Sequence, residues 1–397
     1  METASTRLGV VQSTRGTALC VANYRPDVGF AWWLMENFWI ELAEMSRVAG
    51  LEPLLLYPKD GPIPKSIRDA EIPVLIHAFP GHGLSELMKS LALVRSRKVR
   101  LIYFTDRKFS SLAYALFRLA GVKFIINHDH TPGDRPPVRG LKAIVKGLWR
   151  RFYPAGCDLQ LCVSPLIRDR AIYHARIPAR RVAVVQNGIE PFKCTGDRYY
   201  AHHQFGLPNH KKICISVGRA NPYKRIDFIV EVARRCVFDQ GADDLVFVHC
   251  GDGPDLERLR SLISNAGLDG KFLLAGKRSD IRELLCSADI AIHSSRGEAF
   301  SLAIIEYMSA GLAVLVPDIP TVCQAIRDGD TGLIHPDGDS EAAARLLSRL
   351  VADSDLRDAL GSNAATEVRR KYTLDSMNRS FRQIMSRFVV EPGRHHE

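Results

Sequence analysis

Short apolar runs alternate with longer stretches whose apolar residues recur at helical spacing along most of the chain. Runs of the first kind suit buried strands, and stretches of the second kind suit helices with one apolar face. Their alternation predicts β-α-β units on parallel sheets, an α/β protein. In the first half, strands are expected at Leu8 to Gln12, Leu54 to Tyr57, Val74 to His77, Leu101 to Thr105, Lys123 to Asn127, Leu159 to Ser164 and Val182 to Gln186. Trp33 to Ala49 reads as a helix, with Leu34, Phe38, Leu42 and Met45 on one face. The rhythm then restarts. Strands are expected at Ile213 to Val217, Leu245 to Cys250, Phe272 to Ala275, Ile290 to His293 and Ala313 to Val316. Helices are expected near Ile226 to Val237, Asp255 to Ala266, Ile281 to Cys286 and Ser301 to Ala310.

Asn187-Gly188 is a turn signal, and Pro191 and Pro208 bracket a polar segment, so a linker is expected at about 188–211. The expected organisation is a Rossmann-like domain over 1–190, a second over 191–372, and a helix over 373–397 that returns to the first. Two doubly wound domains facing across a cleft would bind ligands where the carboxyl ends of their strands meet.

Composition sharpens this picture. A chain of 397 residues exceeds the ~250–300 at which single cores stop growing, which agrees with two domains. No apolar run reaches the ~18 residues of a membrane span. The amino-terminal sequence lacks the pattern of a signal peptide, so a cytoplasmic protein, peripheral on the inner membrane face at most, is expected. Nine cysteines without a C-x-x-C suit free thiols better than a disulfide frame or a zinc site. The net charge of +10 is uneven: residues 1–190 carry 27 Lys+Arg against 16 Asp+Glu, and the remainder is nearly balanced. The first half should therefore either meet an anionic partner, a membrane surface or an acidic glycan, or carry a basic surface that merely aids solubility; nucleic acid is not expected.

Chemistry concentrates in the second half. In Arg296-Gly297-Glu298-Ala299-Phe300-Ser301-Leu302-Ala303-Ile304-Ile305-Glu306, a helix starts at Phe300 or Ser301. Its first backbone N–H groups can hold an anion, favoured by the helix dipole. Glu306 lies about one turn inside, and because side chains tilt toward the helix start it can reach the same site and accept paired hydroxyls. Glu298 precedes the helix and can meet a second hydroxylated group. A carboxylate in a first helical turn is by itself ordinary dipole compensation. Arg219, just past a strand, and Lys224, at a helix entrance, supply a bidentate donor and a point charge for a diphosphate. Cys250-Gly251-Asp252-Gly253-Pro254 and Gly276-Lys277-Arg278 are turns after strands where backbone can meet a base.

Together these motifs resemble family 4 of the retaining glycosyltransferases, which have the GT-B fold and use nucleotide-sugar donors. The carrying residues are VGRANPYKRID, VHCGDGP, LLAGKRSDIRELLCSADIAIHSS, RGEAFSLAIIEYMSAG and DGDTGLI, over roughly 213–340. The resemblance implies that Arg219 and Lys224 bind the donor diphosphate, Glu298 the donor sugar and Glu306 the ribose. Backbone around Phe300, Ser301 and Leu302 would bind phosphate, with Lys277 nearby. Gln324 stands where the family often has Glu. In the first half, Gly29 is the candidate for close approach to the donor, where the family usually has a glycine pair. Trp32 and Trp33 beside it either stack on acceptor or join the core. His128 fits the family's histidine beside the reacting sugar, with His130 as the alternative.

The implied reaction moves a sugar from a UDP or GDP donor to a glycan or lipid-linked acceptor in envelope or polysaccharide synthesis, with Arg219, Lys224, Glu298 and His128 in catalytic roles. No cofactor and no metal are expected. The alternatives are a nucleotide-sugar 2-epimerase and a catalytically silent binding protein. Leu141 to Tyr153, LKAIVKGLWRRFY, reads either as a basic amphipathic helix on an anionic leaflet or as an ordinary domain helix with its basic face in water.

Overall fold

The computed structural model describes residues 15–28, 32–133 and 136–389. The chain forms two compact α/β units. The first takes in Met1–His130, Pro136–Val185 and Asn378–Glu397, and the second Thr131–Arg135 and Gln186–Met377. Apart from the short Thr131–Arg135 stretch, the chain passes to the second unit after Val185 and returns after Met377, inside its last helix.

The first unit runs β1 (Thr17–Val21), α1 (Trp32–Val48), β2 (Glu52–Tyr57), α2 (Lys65–Asp69), β3 (Val74–Ile76), α3 (Leu84–Ser96), β4 (Val99–Thr105), α4 (Leu112–Leu119), β5 (Phe124–Asp129), α5 (Gly140–Arg151), β6 (Leu159–Cys162), α6 (Pro165–Asp169) and β7 (Val182–Val184). These strands form one parallel sheet in the order β3-β2-β1-β4-β5-β6-β7, which reverses between β1 and β4. All of β1 is buried, as expected of a parallel strand covered on both faces. Leu34, Phe38 and Leu42 recur at helical spacing on α1 and are buried. The last helix of the chain enters the same core: the Phe381 ring lies 5.0 Å from Phe38, and Arg382 pairs with Glu41 and, at 2.7 Å, with Glu44.

The second unit runs α7 (Tyr200–Phe205), β8 (Lys212–Val217), α8 (Ile226–Arg234), β9 (Leu245–Cys250), α9 (Leu256–Asn265), β10 (Phe272–Gly276), α10 (Ile281–Ser287), β11 (Ile290–Ile292), α11 (Leu302–Ser309), β12 (Ala313–Pro317), β13 (Leu333–His335), α12 (Ser340–Ala352), α13 (Ser354–Lys371) and most of the first turn of α14 (Leu374–Val389). Its sheet has the order β10-β9-β8-β11-β12-β13, all parallel, and reverses between β8 and β11. The core under it gathers Ile229, Val230, Phe247, Ile290, Leu315 and Leu347.

Several expectations need correction. The expected strand Leu8 to Gln12 lies outside the described residues, and the first described strand is Thr17–Val21. The expected helix Ile226 to Val237 is α-helical only to Arg234, after which the turns widen through Asp239. Cys194 and Cys286 form a disulfide, whereas the cysteine spacing suggested free thiols throughout. The two are 92 residues apart in sequence, and only the packing of the 186–199 segment against α10 brings them together. No helix among the described residues is long and apolar enough to cross a membrane.

Candidate active site at the switch point of the second sheet

The reversal of strand order sends the loops after β8 and β11 to opposite faces of the sheet and opens a crevice at their carboxyl ends. Arg219 and Lys224 follow β8, while Glu298 and the start of α11 follow β11. The two loops are stitched together. The Ser294 hydroxyl donates to the Lys224 carbonyl at 2.7 Å and the Arg225 carbonyl at 3.0 Å. In return, the Arg225 Nε donates to the Ser294 carbonyl at 2.6 Å, and the Arg296 N–H reaches the Tyr223 carbonyl at 2.9 Å.

These constraints bring Lys224 Nζ to 2.5 Å from Glu298 Oε1. His293, 4% exposed, donates from Nε2 to the same oxygen at 3.0 Å. Burial pulls the Glu298 pKa up, but the ammonium of Lys224 and the His293 hydrogen bond outweigh it and take the carboxyl down to about 2. Glu298 is thus held ionised and fixed in direction. The His293 ring stays neutral because its burial lowers its pKa against the pull of Glu298.

Ser301 is the N-cap of α11, its hydroxyl accepting from the Ile304 N–H, and the first-turn amides of Leu302 and Ala303 lie ahead of it without intrahelical partners. The Phe300 side chain is buried against Tyr372 with ring centroids 5.3 Å apart, so only its backbone is available to a ligand. Gln324 donates from Nε2 to the Ala299 carbonyl at 2.9 Å and the Thr321 carbonyl at 2.8 Å, holding the loop. An ionised Glu at this position has no hydrogen to donate to those carbonyls. Tyr307, on α11, accepts from the Val217 N–H at 2.6 Å and donates to its carbonyl, fixing the helix to the end of β8 just before Arg219.

Glu306 lies on α11 and is half-buried. Burial raises its pKa to about 7, against the lowering effect of Arg282 on α10. Arg219 is exposed, with no hydrogen bond or ion pair among the described residues, and Lys277 is also exposed. Gly251 and Gly253 make room for these loops: a Cβ at Gly251 would collide with the Gly218 carbonyl, and one at Gly253 with the Ala220 carbonyl. Backbone bonds from Gly218 N to Cys250 O and from Ala220 N to Asp252 O, both 3.0 Å, zip the two turns together.

In the first unit, Gly29 lies outside the described residues. His128, at the end of β5, is fully buried, and its Nδ1 bonds the Tyr103 hydroxyl at 2.6 Å. His130 follows, with the two ring centroids 4.1 Å apart. Burial pushes the His128 pKa well below the usual histidine range, with the His130 charge adding to it, and takes His130 down to about 4. The Nε2 atoms of both are enclosed and have no partner among the described residues. Trp32 stacks edge-on against Trp39 at 5.4 Å, while Trp33 is exposed.

The sequence reading missed His293, Arg282 and Tyr307. His293 is the residue that closes an apolar strand run, and Arg282 sits in a helix 24 positions before Glu306, so no motif spacing marks either.

Two family models match in succession, Glycosyltransferase Family 4 over residues 35–192 and Glycosyl transferases group 1 over 198–367. The chain belongs to the family 4, group 1 glycosyltransferases. Among similar proteins, an N-acetyl-alpha-D-glucosaminyl L-malate synthase of Bacillus anthracis is 25% identical over 46% of this chain and 47% of its own length. The matched stretch thus spans about half of that relative. A UDP-Gal:alpha-D-GlcNAc-diphosphoundecaprenol alpha-1,3-galactosyltransferase of Escherichia coli is 25% identical over 76% of this chain and 79% of its own. Among solved structures, Anabaena HepE in complex with UDP and glucose aligns with a TM-score of 0.76 at 17% identity, covering 94% of this chain and 100% of that one. The fold of this family 4 chain is thus that of the GT-B glycosyltransferases.

Proposed function

We propose that this protein is a retaining glycosyltransferase, moving a sugar from a nucleoside diphosphate sugar to an acceptor hydroxyl. The observation that carries this reading is the Lys224–Glu298 pair, 2.5 Å apart just ahead of α11, with Arg219 on the same loop as Lys224 and Glu306 on α11 itself. Arg219 and Lys224 take the diphosphate with the amides of Leu302 and Ala303, and Lys277 extends the positive rim. Glu306 accepts the ribose hydroxyls, and Glu298, ionised and oriented by His293, accepts from the donor sugar.

As the bond from the anomeric carbon to the phosphate oxygen breaks, negative charge collects on the diphosphate. Fixed cations and helix amides stabilise that charge more than the ground state, which is where rate acceleration arises. The same fixed charges make a divalent metal unnecessary, so no metal dependence is proposed. With its carboxylate tied to Lys224 and His293, Glu298 orients the sugar rather than attacking it. The acceptor oxygen then bonds to the anomeric carbon on the face the phosphate leaves, and its proton passes to the departing phosphate oxygen.

The E. coli relative's UDP-galactose donor and lipid-linked acceptor, together with the UDP in the HepE complex, support a uridine donor. They also support a glycan or lipid-linked acceptor, and hence work beside a membrane. A thermal-shift panel of UDP, GDP and their sugars with EDTA present tests the donor. A ligand at about 100 times its Kd stabilises by about 2.7 kcal/mol. NMR of the transferred product then reads the anomeric configuration: an inverted anomer refutes retention, and a donor whose sugar changes without acceptor refutes transfer.

A further inference from the structure

Helix α5 is inside out. Leu141, Ile144, Val145 and Leu148 occupy one face at helical spacing and are 75%, 61%, 59% and 64% exposed. The opposite face, Ala143, Lys146, Gly147 and Arg150, is the one turned toward the first unit, with the Arg150 guanidinium 5.4 Å from the Phe109 ring centre. The alternative of a domain helix with its basic face in water does not hold here, because an apolar face takes that place. Helical spacing puts exposed Lys142 and Trp149 on one flank of the apolar stripe and exposed Arg151 on the other. From Arg135 to Cys157 the sequence has six basic residues and no Asp or Glu. In the same unit, α4, which packs beside the turn after α5, exposes Leu112, Leu116 and Leu119.

We propose that the outer face of α5 lies in the headgroup region of an anionic lipid bilayer. Apolar side chains enter the acyl boundary while flanking cations meet lipid phosphates, and charge complementarity selects this occupant. A two-fold contact with a second copy would set Lys142 and Arg151 against like charges, with no acid in the segment to pair them. The biological sense of this surface rests on the proposed lipid-linked acceptor, but its binding does not.

The test is co-sedimentation of the full chain, without donor, with phosphatidylcholine vesicles and with vesicles holding about 30% phosphatidylglycerol. Binding is expected only to the anionic vesicles and should fall in about 0.5 M NaCl. The double variant K142E/R151E should lose more than roughly 30-fold in vesicle affinity, and I144S/L148S more than about tenfold, with both keeping the wild-type melting temperature. Equal sedimentation of both variants and the wild type overturns the proposal, as does no binding of the wild type. A wild-type dimer in size-exclusion chromatography that I144S/L148S abolishes, without vesicle binding, also overturns it in favour of self-association. Donor binding measured in parallel separates this outcome from a failure of the transferase reading.

Discussion

At the scale of single residues, the two carboxylates of the E-x7-E motif are tuned in opposite directions. Glu298 is held near 2 by Lys224 and His293 despite burial, whereas burial raises Glu306 to about 7. For Glu306 the folded pKa lies above the unfolded value, so its contribution to stability is fully present below about 4.5 and is lost as pH rises toward 7. Glu306→Gln should therefore raise the melting temperature above pH 7, by the equivalent of about 3 kcal/mol or less, and flatten its slope between pH 4.5 and 7. The same variant should weaken UDP binding. A pH-melting series with and without UDP checks both effects. His293→Ala leaves Glu298 with Lys224 alone and should lower kcat by roughly 10- to 100-fold while changing the donor KM little. His293→Asn, which keeps a donor, should recover part of it; equal losses in both variants would mean that the ring only fills space. Arg219→Ala removes an exposed charge, so it should spare stability yet cost roughly 10²–10³-fold in kcat.

At the scale of elements, the site depends on how closely the loops after β8 and β9 approach. Gly251 and Gly253 face backbone carbonyls of the Arg219 loop, where a side chain must displace backbone. Gly251→Ala should push that loop outward and cost several degrees of melting temperature, a few kcal/mol. It should weaken UDP binding in the same variant. Gly270→Ala serves as the control, because nothing crowds its Cβ and only its left-handed φ of +74 adds strain. A Gly251→Ala variant that binds UDP normally would show that the two turns need not be locked. The helix that carries Glu306 is legible from its apolar spacing and its Ser301 cap. Its attachment through Tyr307 to β8 is not, because a tyrosine on an apolar helix face reads as core until the strand beside it is known.

At the scale of the whole molecule, the two units carry different charge and covalent character. The first holds the basic excess and the outward apolar face of α5, and the second holds the disulfide. Closing a segment 92 residues apart restricts the unfolded chain, so reduction should destabilise by up to about 4 kcal/mol. Calorimetry with and without dithiothreitol should show a lower melting transition for the second unit and an unchanged one for the first. Cys194→Ser should reproduce the shift without reductant. If it does not, the reductant acts elsewhere.

The sequence by itself determined the α/β class, most strands of both sheets and the cluster of cationic and acidic residues that marks the candidate site of the second half. Each of these is a local signal: periodicity reports which face is buried, Arg219, Lys224 and Glu298 sit at the ends of elements that periodicity already marks, and Glu306 sits within one. Only the tertiary structure decided the rest. The buried His293 contact that orients Glu298, the opposed pKa values of the two glutamates and the Cys194–Cys286 bridge arise where segments far apart in sequence meet. The direction of α5 also belongs here, since its pattern is amphipathic either way and only the packing beneath it decides which face meets water. Burial, and the electrostatics that follow from it, belongs to the folded neighbourhood rather than to the residue.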